Sequence, residues 1–328
     1  MRPGRSLVAD AHTRPGDDAG SMIVAESLSK RYDAVPVVDD VTFTCHRGTV
    51  TGFLGPNGAG KSTTLRMITG LSRPDTGHAT VAGVPFVALP NPSRVVGTLL
   101  DASAMHPGRT GRNTLAVAAQ MAAVPQHRVD DVLATVGLSS AAADKRVGTY
   151  SLGMRQRLGI AQTLIGHPEV LILDEPANGL DPEGIAWMRE LLRDFADQGG
   201  TVLLSSHLLA EVEATVDRLV VIRAGHLVAD GCLADLLSTS GLVARATDQT
   251  ALIAALTRAG MPCTGDGDGA VTIDTAGGVT AEQVALVAAQ SGVLLVELRT
   301  ADCTGLEQLF FALTSPAATD ADLGEVSG

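Results

Sequence analysis

The stretch Gly55-Pro56-Asn57-Gly58-Ala59-Gly60-Lys61-Ser62 constrains this chain more than any other. Its spacing is G-x-x-x-x-G-K-S, and it joins an apolar run at 48–54 to a helix-like run at 61–69, with Gly70 as the expected C-cap. Glycines let backbone N–H groups close around an anion, Lys61 adds positive charge, and the Ser62 hydroxyl can ligate Mg²⁺. Residues 55–62 and the adjoining Thr63 are therefore the expected contacts of a nucleotide triphosphate, ATP or GTP. A buried strand must feed the loop and a helix must leave it. The motif identifies a ligand and leaves the use of its energy open.

Further apolar runs at 170–173 and 201–206 suit central parallel strands, with a helix over 184–198 ending near Gly199-Gly200. That alternation predicts an α/β fold with a mixed, largely parallel sheet. A first strand is expected over 22–32, and Ala224-Gly225 marks a small hairpin. After about residue 240 the pattern reads strand (242–247), helix (249–259), two short strands, helix (280–291), strand (293–299) and helix (305–314). This β-α-β-β-α-β order predicts a small α+β, ferredoxin-like unit. Asp266-Gly267-Asp268-Gly269 reads as a hairpin turn. As a calcium loop it fails, because Ala270 stands at a ligand position and no Glu closes the loop.

The length of 328 residues suits two domains, and the net charge of −12 argues against a sequence-independent nucleic-acid binder. Cys45, Cys232, Cys263 and Cys303 form no C-x-x-C pair, which fits a reducing cytoplasm. No apolar run reaches the roughly 18 residues of a spanning helix, and the N-terminus lacks the apolar core of a signal peptide. Residues 1–21 and 317–328 are expected to be a disordered extension and tail. The abrupt onset of strand pattern makes Met22 the expected true start.

Several elements follow the loop in order. Leu171-Ile172-Leu173-Asp174-Glu175-Pro176 is an apolar strand ending in two carboxylates: Asp174 suits a magnesium ligand and Glu175 suits polarising an attacking water. On its own this could be a strand capped by solvated acids. Ser151-Leu152-Gly153-Met154-Arg155-Gln156-Arg157 opens a helix at 158–166, where a serine and a glycine make an anion site or an ordinary N-cap. Asn178-Gly179-Leu180-Asp181 is a turn that follows the acid pair. His207 follows a buried strand and, beside these elements, suits a γ-phosphate contact. Tyr32, one of two tyrosines, could stack on adenine or pack in the core.

Over residues 22–235 the chain resembles the ATP-binding subunit of a bacterial ABC transporter, in particular the drug and antibiotic-resistance exporters. The resemblance implies a P-loop NTPase core (22–238) with a helical subdomain at about 101–165, and a C-terminal domain over 239–316. It aligns Tyr32 with the adenine-stacking aromatic, 55–62 with Walker A, and 171–174 with Walker B. Glu175 falls on the catalytic glutamate, 151–157 on the signature, 178–181 on the D-loop and His207 on the switch histidine. The signature departs from the usual Ser-Gly-Gly-Gln at Leu152 and Met154, while Ser151 and Gly153 remain. Asp101 stands where the Q-loop glutamine is expected. A carboxylate there could approach Mg²⁺ but cannot donate as an amide does.

The implied cofactors are ATP and Mg²⁺, held by Ser62 and Asp174 with Asp101 as an added metal candidate. The implied partners are an integral-membrane permease and a second copy packed head to tail, so that Ser151, Gly153 and Asp181 meet the partner's ATP. The implied place is the cytoplasmic side of the membrane, and the implied work is export of a drug, antibiotic or lipid-like compound. The rival is a soluble ABC ATPase of DNA repair or translation. Against it stand the single motif set, the short, heptad-free gap from Lys61 to Ser151, and the acidic charge.

Overall fold

A computed structural model describes residues 20–207, 209–237, 241–265, 269–275, 278–300 and 306–314. The terminal segments 1–19 and 315–328, and the Asp266–Asp268 part of the expected hairpin turn, lie outside the described residues. Two compact units divide between Leu233 and Ala234, the second running to Leu309.

The first unit contains β1 (Ser21–Tyr32), β2 (Val35–His46), β3 (Val50–Leu54), α1 (Lys61–Ile68), β4 (Thr76–Val81) and β5 (Val96–Leu99). Helices α2 (Gly111–Met121), α3 (Arg128–Thr135), α4 (Ser140–Ala143) and α5 (Leu152–Leu164) follow. Then come β6 (Val170–Asp174), α6 (Pro182–Asp197), β7 (Thr201–Ser206), α7 (Leu209–Glu213), β8 (Arg218–Arg223) and β9 (His226–Cys232), and the short helix α8 (Leu233–Leu237) runs across the division.

Six strands form one sheet in the order β5-β6-β7-β3-β8-β9. All neighbours are parallel except β8 and β9, which pair antiparallel through the Ala224-Gly225 turn. Both turn residues have positive φ (48° and 86°), as a tight hairpin with right-handed strand twist requires. Strands β3 and β7 are buried at every residue and β6 at all but Asp174, because helices and a second sheet cover both faces.

That second sheet is antiparallel, β2-β1-β4. The main core lies where it, α1 and the six-stranded sheet meet: Ile23, Leu28, Val41 and Phe43 pack with Leu65 and Ile68 of α1 and with Phe53, Ile172 and Leu203. Phe43 and Phe53 stack at 5.3 Å between ring centroids. Burying α1 on this side fixes its N-terminus at the carboxyl end of β3. Helices α2 and α3 pack on α5, and α5 packs on the edge strand β5. Helix α6 starts two residues before the predicted boundary, because Pro182 suits the first helical turn and Asp181 caps it.

The second unit contains β10 (Gly241–Ala246), α9 (Gln249–Arg258), β11 (Cys263–Gly265), β12 (Ala270–Asp274), α10 (Ala281–Gln290) and β13 (Leu295–Thr300). The last described helix is α11 (Leu306–Thr314). The sheet order β11-β12-β10-β13 is antiparallel throughout, the ferredoxin-like arrangement expected from the element order. Its own core gathers Leu242, Ala244, Leu252, Leu256, Val271, Ile273 and Val284. Thr280 and Gln283 close a capping box at the start of α10.

Candidate nucleotide site

The carboxyl ends of β3, β6 and β7 bring together the loop, the acid pair and His207, the usual place for ligands in an open parallel sheet. Gly60 is the N-cap of α1, with φ 106° and no side-chain capping bond. A Cβ at this position would lie 2.5 Å from the Val37 carbonyl oxygen, so only glycine lets the helix start so close to β2. No acidic residue lies in the first turn of α1, and its leading N–H groups have no side-chain partner, which makes this end attractive to an anion. A cleft of about 250 Å³ opens here, lined by Val37, residues 57–63 and Glu175.

Lys61 is buried. Its Nζ donates to the carbonyls of Gly55 (2.6 Å) and Pro56 (3.4 Å) and stands 4.0 Å from Glu175 Oε1. Burial pushes the Lys61 ammonium below its ordinary pKa, while the charges of Glu175 and Asp174 oppose that shift. Glu175 Oε2 lies 2.7 Å from His207 Nδ1, so one carboxylate spans the lysine and the histidine. Glu175 also has φ 50°, an uncommon left-handed backbone for a residue with a side chain. Its N–H donates to Ser205 Oγ (3.0 Å), and its carbonyl accepts from Gln156 Nε2 (3.3 Å). Ser205 Oγ donates in turn to Asp174 Oδ1 at 2.5 Å. Ser62, at the start of α1, carries a hydroxyl in the cleft lining.

The remaining sequence candidates lie outside this lining. Tyr32 ends β1 as a 46% exposed residue, its hydroxyl 3.4 Å from Ser72 Oγ, and Lys30 Nζ 5.6 Å from its ring centroid. Ser151 caps α5, accepting from the Met154 N–H at 3.2 Å. Gly153 lies against the D-loop segment, where a Cβ would be 3.0 Å from Gly179 O. Asp181 caps α6, accepting from the Gly184 N–H at 2.9 Å. Asp101 is exposed and accepts from the Ser103 hydroxyl (2.6 Å) and N–H (2.7 Å). These bonds, with help from Arg66, hold its carboxyl below the ordinary carboxylate range. It lines a different cavity of about 500 Å³ between β5, α2 and α5, together with Met105, His106 and Arg109.

Sequence reasoning missed Val37, Gln156 and Ser205. Gln156 and Ser205 sit inside recognised motif neighbourhoods, and their signal is a polar side chain at a fully buried position. Val37 contributes a backbone carbonyl, which leaves no trace in residue type.

A model described as ABC transporter matches residues 38–178. The chain is 39% identical over 211 residues to the bacitracin transport ATP-binding protein BcrA of Bacillus licheniformis, covering 63% of this chain and 69% of that protein. It is 38% identical over 221 residues to the Nod factor export ATP-binding protein I of Rhizobium meliloti (strain 1021), covering 66% of each. A solved structure described as the ATP binding subunit of an ABC transporter is 30% identical with a TM-score of 0.61, covering 66% of this chain and 92% of that one.

Proposed function

Because this chain belongs to the ATP-binding proteins of ABC transporters and is an ATP hydrolase, we propose that it powers export of an antibiotic or lipid-like compound through a separate integral-membrane permease. The relatives that handle bacitracin and Nod factor support the export reading. Its working place is then the cytoplasmic face of the membrane. Among the described residues no helix is long and apolar enough to cross a membrane.

One observation carries the mechanism: the Glu175 carboxylate bridges Lys61 (4.0 Å) and His207 (2.7 Å) beside the uncapped start of α1. The N–H groups of the loop and of α1 hold the β- and γ-phosphates, and Lys61 turns from the loop carbonyls to the phosphate oxygens. Glu175 orients a water and takes its proton as the water oxygen bonds to the γ-phosphorus and the bond to the ADP oxygen breaks. His207 holds Glu175 and touches the γ-phosphate. Tyr32 offers its exposed ring to adenine.

The donor chemistry fits Mg²⁺, since the Ser62 hydroxyl and the Asp174 carboxylate are hard oxygen ligands of the kind this ion takes beside phosphate. When bound, the ion neutralises charge on the β- and γ-phosphate oxygens. Asp101 answers to that region only from its own cavity, and its bonds to Ser103 favour a role in the loop leading to α2. Ser151 and Gly153 lie outside the cleft lining, which supports their action on the ATP of a second, head-to-tail copy.

Glu175→Gln tests this reading. The variant is expected to bind ATP as the wild type does, to lose turnover by about 10²-fold or more, and to accumulate as an ATP-bound dimer on size-exclusion chromatography. Wild-type turnover in this variant would overturn the assignment.

A further inference from the structure

Two acids at the end of a strand are useful for hydrolysis only if their mutual geometry is fixed. The register of the parallel sheet sets Ser205 of β7 beside Asp174 of β6, and Ser205 is completely buried. Its hydroxyl has one proton to give and lone pairs to receive, and it uses both. The proton goes to Asp174 Oδ1 at 2.5 Å, and a lone pair receives the Glu175 N–H at 3.0 Å. The first bond sets the rotation of the Asp174 carboxylate. The second fixes one edge of the Glu175 peptide, whose opposite edge is held by Gln156 Nε2 through the Glu175 carbonyl.

The clamp has a visible task. Glu175 adopts φ 50°, a conformation that persists in a residue with a side chain only where its surroundings over-determine it. Without the Ser205 acceptor, the Glu175 N–H would lose its partner, and the backbone would be free to relax toward an ordinary strand or helix conformation. The side chain would then swing away from Lys61 and His207. The same relaxation would release Asp174, because both acids depend on one oxygen.

We propose that Ser205 is a positioning residue for ATP hydrolysis: one buried hydroxyl ties the metal-facing carboxylate of Asp174 to the left-handed backbone of Glu175, from which the water-facing carboxylate projects. The proposal rests on the roles given to Asp174 and Glu175 above. Ser205 is bonded to the two acids and acts only through them.

The test uses the full chain with Ser205→Ala and Ser205→Cys; the cysteine keeps the volume of the side chain and replaces its strong hydrogen bonds with weak ones. Steady-state ATPase is expected to fall about 10–100-fold in kcat, while KM for ATP and the metal-free affinity for a fluorescent ATP analogue stay within about twofold. Mn²⁺ binding, followed by electron paramagnetic resonance in the presence of a non-hydrolysable ATP analogue, is expected to weaken about tenfold or more. A purely structural serine would lower the melting temperature and leave Mn²⁺ affinity and kcat unchanged, and that outcome overturns the proposal. If the alanine variant does not fold, the cysteine variant decides. An inactive wild type would instead remove the functional reading itself. An active wild type, an inactive Glu175→Gln and full-rate Ser205 variants would remove only the role of Ser205.

Discussion

Gly60→Ala and Gly58→Ala place the same methyl group two residues apart in one loop, yet the structure assigns them different costs. At Gly60 φ is 106°, and the new Cβ would lie 2.5 Å from Val37 O and 3.1 Å from Val38 Cγ2. The backbone conformation alone costs an alanine about 1–3 kcal/mol. The oxygen clash adds overpacking strain of about 1–3 kcal/mol, since Val37 is flanked within β2 by Pro36 and Val38, which pair with Arg31 and Lys30. The expected loss is therefore about 2–6 kcal/mol, against the roughly 5–15 kcal/mol that keeps a whole domain folded. At Gly58 φ is 81° and nothing lies within 4 Å of the new atom, so only backbone strain of about 1–2 kcal/mol applies. Relief of the Gly60 clash must move the start of α1 away from β2, turning the leading N–H groups off the phosphate. The assay is a thermal melt with and without a non-hydrolysable ATP analogue, where ligand at about 100 times Kd stabilises by about 2.7 kcal/mol. Wild type and Gly58→Ala are expected to show the ligand shift, the latter from a slightly lower baseline. Gly60→Ala is expected to melt lower still and to lose most of the shift. A Gly60→Ala protein with an undiminished shift, or a Gly58→Ala protein damaged more severely, would refute the reasoning.

Ser151 has a capping role in the structure and a phosphate-facing role in the proposal, and Ser151→Asp separates them. Aspartate caps a helix about as well as serine, so denaturation midpoints should correspond to stabilities within about 0.5 kcal/mol. In a Glu175→Gln background, however, the added negative charge should abolish the ATP-bound dimer on size-exclusion chromatography, and normal dimerisation would remove the phosphate-facing role. For Lys61, burial lowers the pKa first and foremost, whereas bound phosphates favour the charged amine. The bound state therefore holds more protons, and ATP affinity should fall as pH rises through the depressed Lys61 value, with proton uptake measurable by calorimetry in buffers of different ionisation enthalpy. Binding at alkaline pH without proton uptake would contradict this.

The parallel core was legible because its strands are buried on both faces and read as short continuous apolar runs, such as Val170–Asp174. The hairpin at Ala224-Gly225 and the element order of the second unit were legible from turn residues and periodicity. The antiparallel sheet was legible only in β1. Register shifts between Ala25 and Leu28 and between Leu28 and Lys30 break the two-residue alternation, and Ser27 and Asp40 adopt positive φ within it. A long bulged strand pair of this kind carries a weak period in the sequence. Within the site, side chains that define motifs could be read directly. The supports could not: the left-handed Glu175 backbone, the Val37 carbonyl and the double use of the Ser205 hydroxyl are products of register.

The sheet order explains why those supports exist. Strand β7 lies between β3, which carries the loop, and β6, which carries the acids. Neighbouring strands are about 4.8 Å apart, so the inserted strand separates loop and acids by roughly twice that spacing. Such a gap leaves room for a γ-phosphate and a water between them. Lys61 can still come within 4.0 Å of Glu175 because its side chain is long and reaches across. The same inserted strand then supplies what the gap takes away: Ser205 bonded to the Asp174 carboxylate and to the Glu175 backbone N–H, and His207 just past the strand's end, holding the Glu175 carboxylate. With β6 directly beside β3, the acids could be braced by the loop itself, but the space for the reacting groups would close.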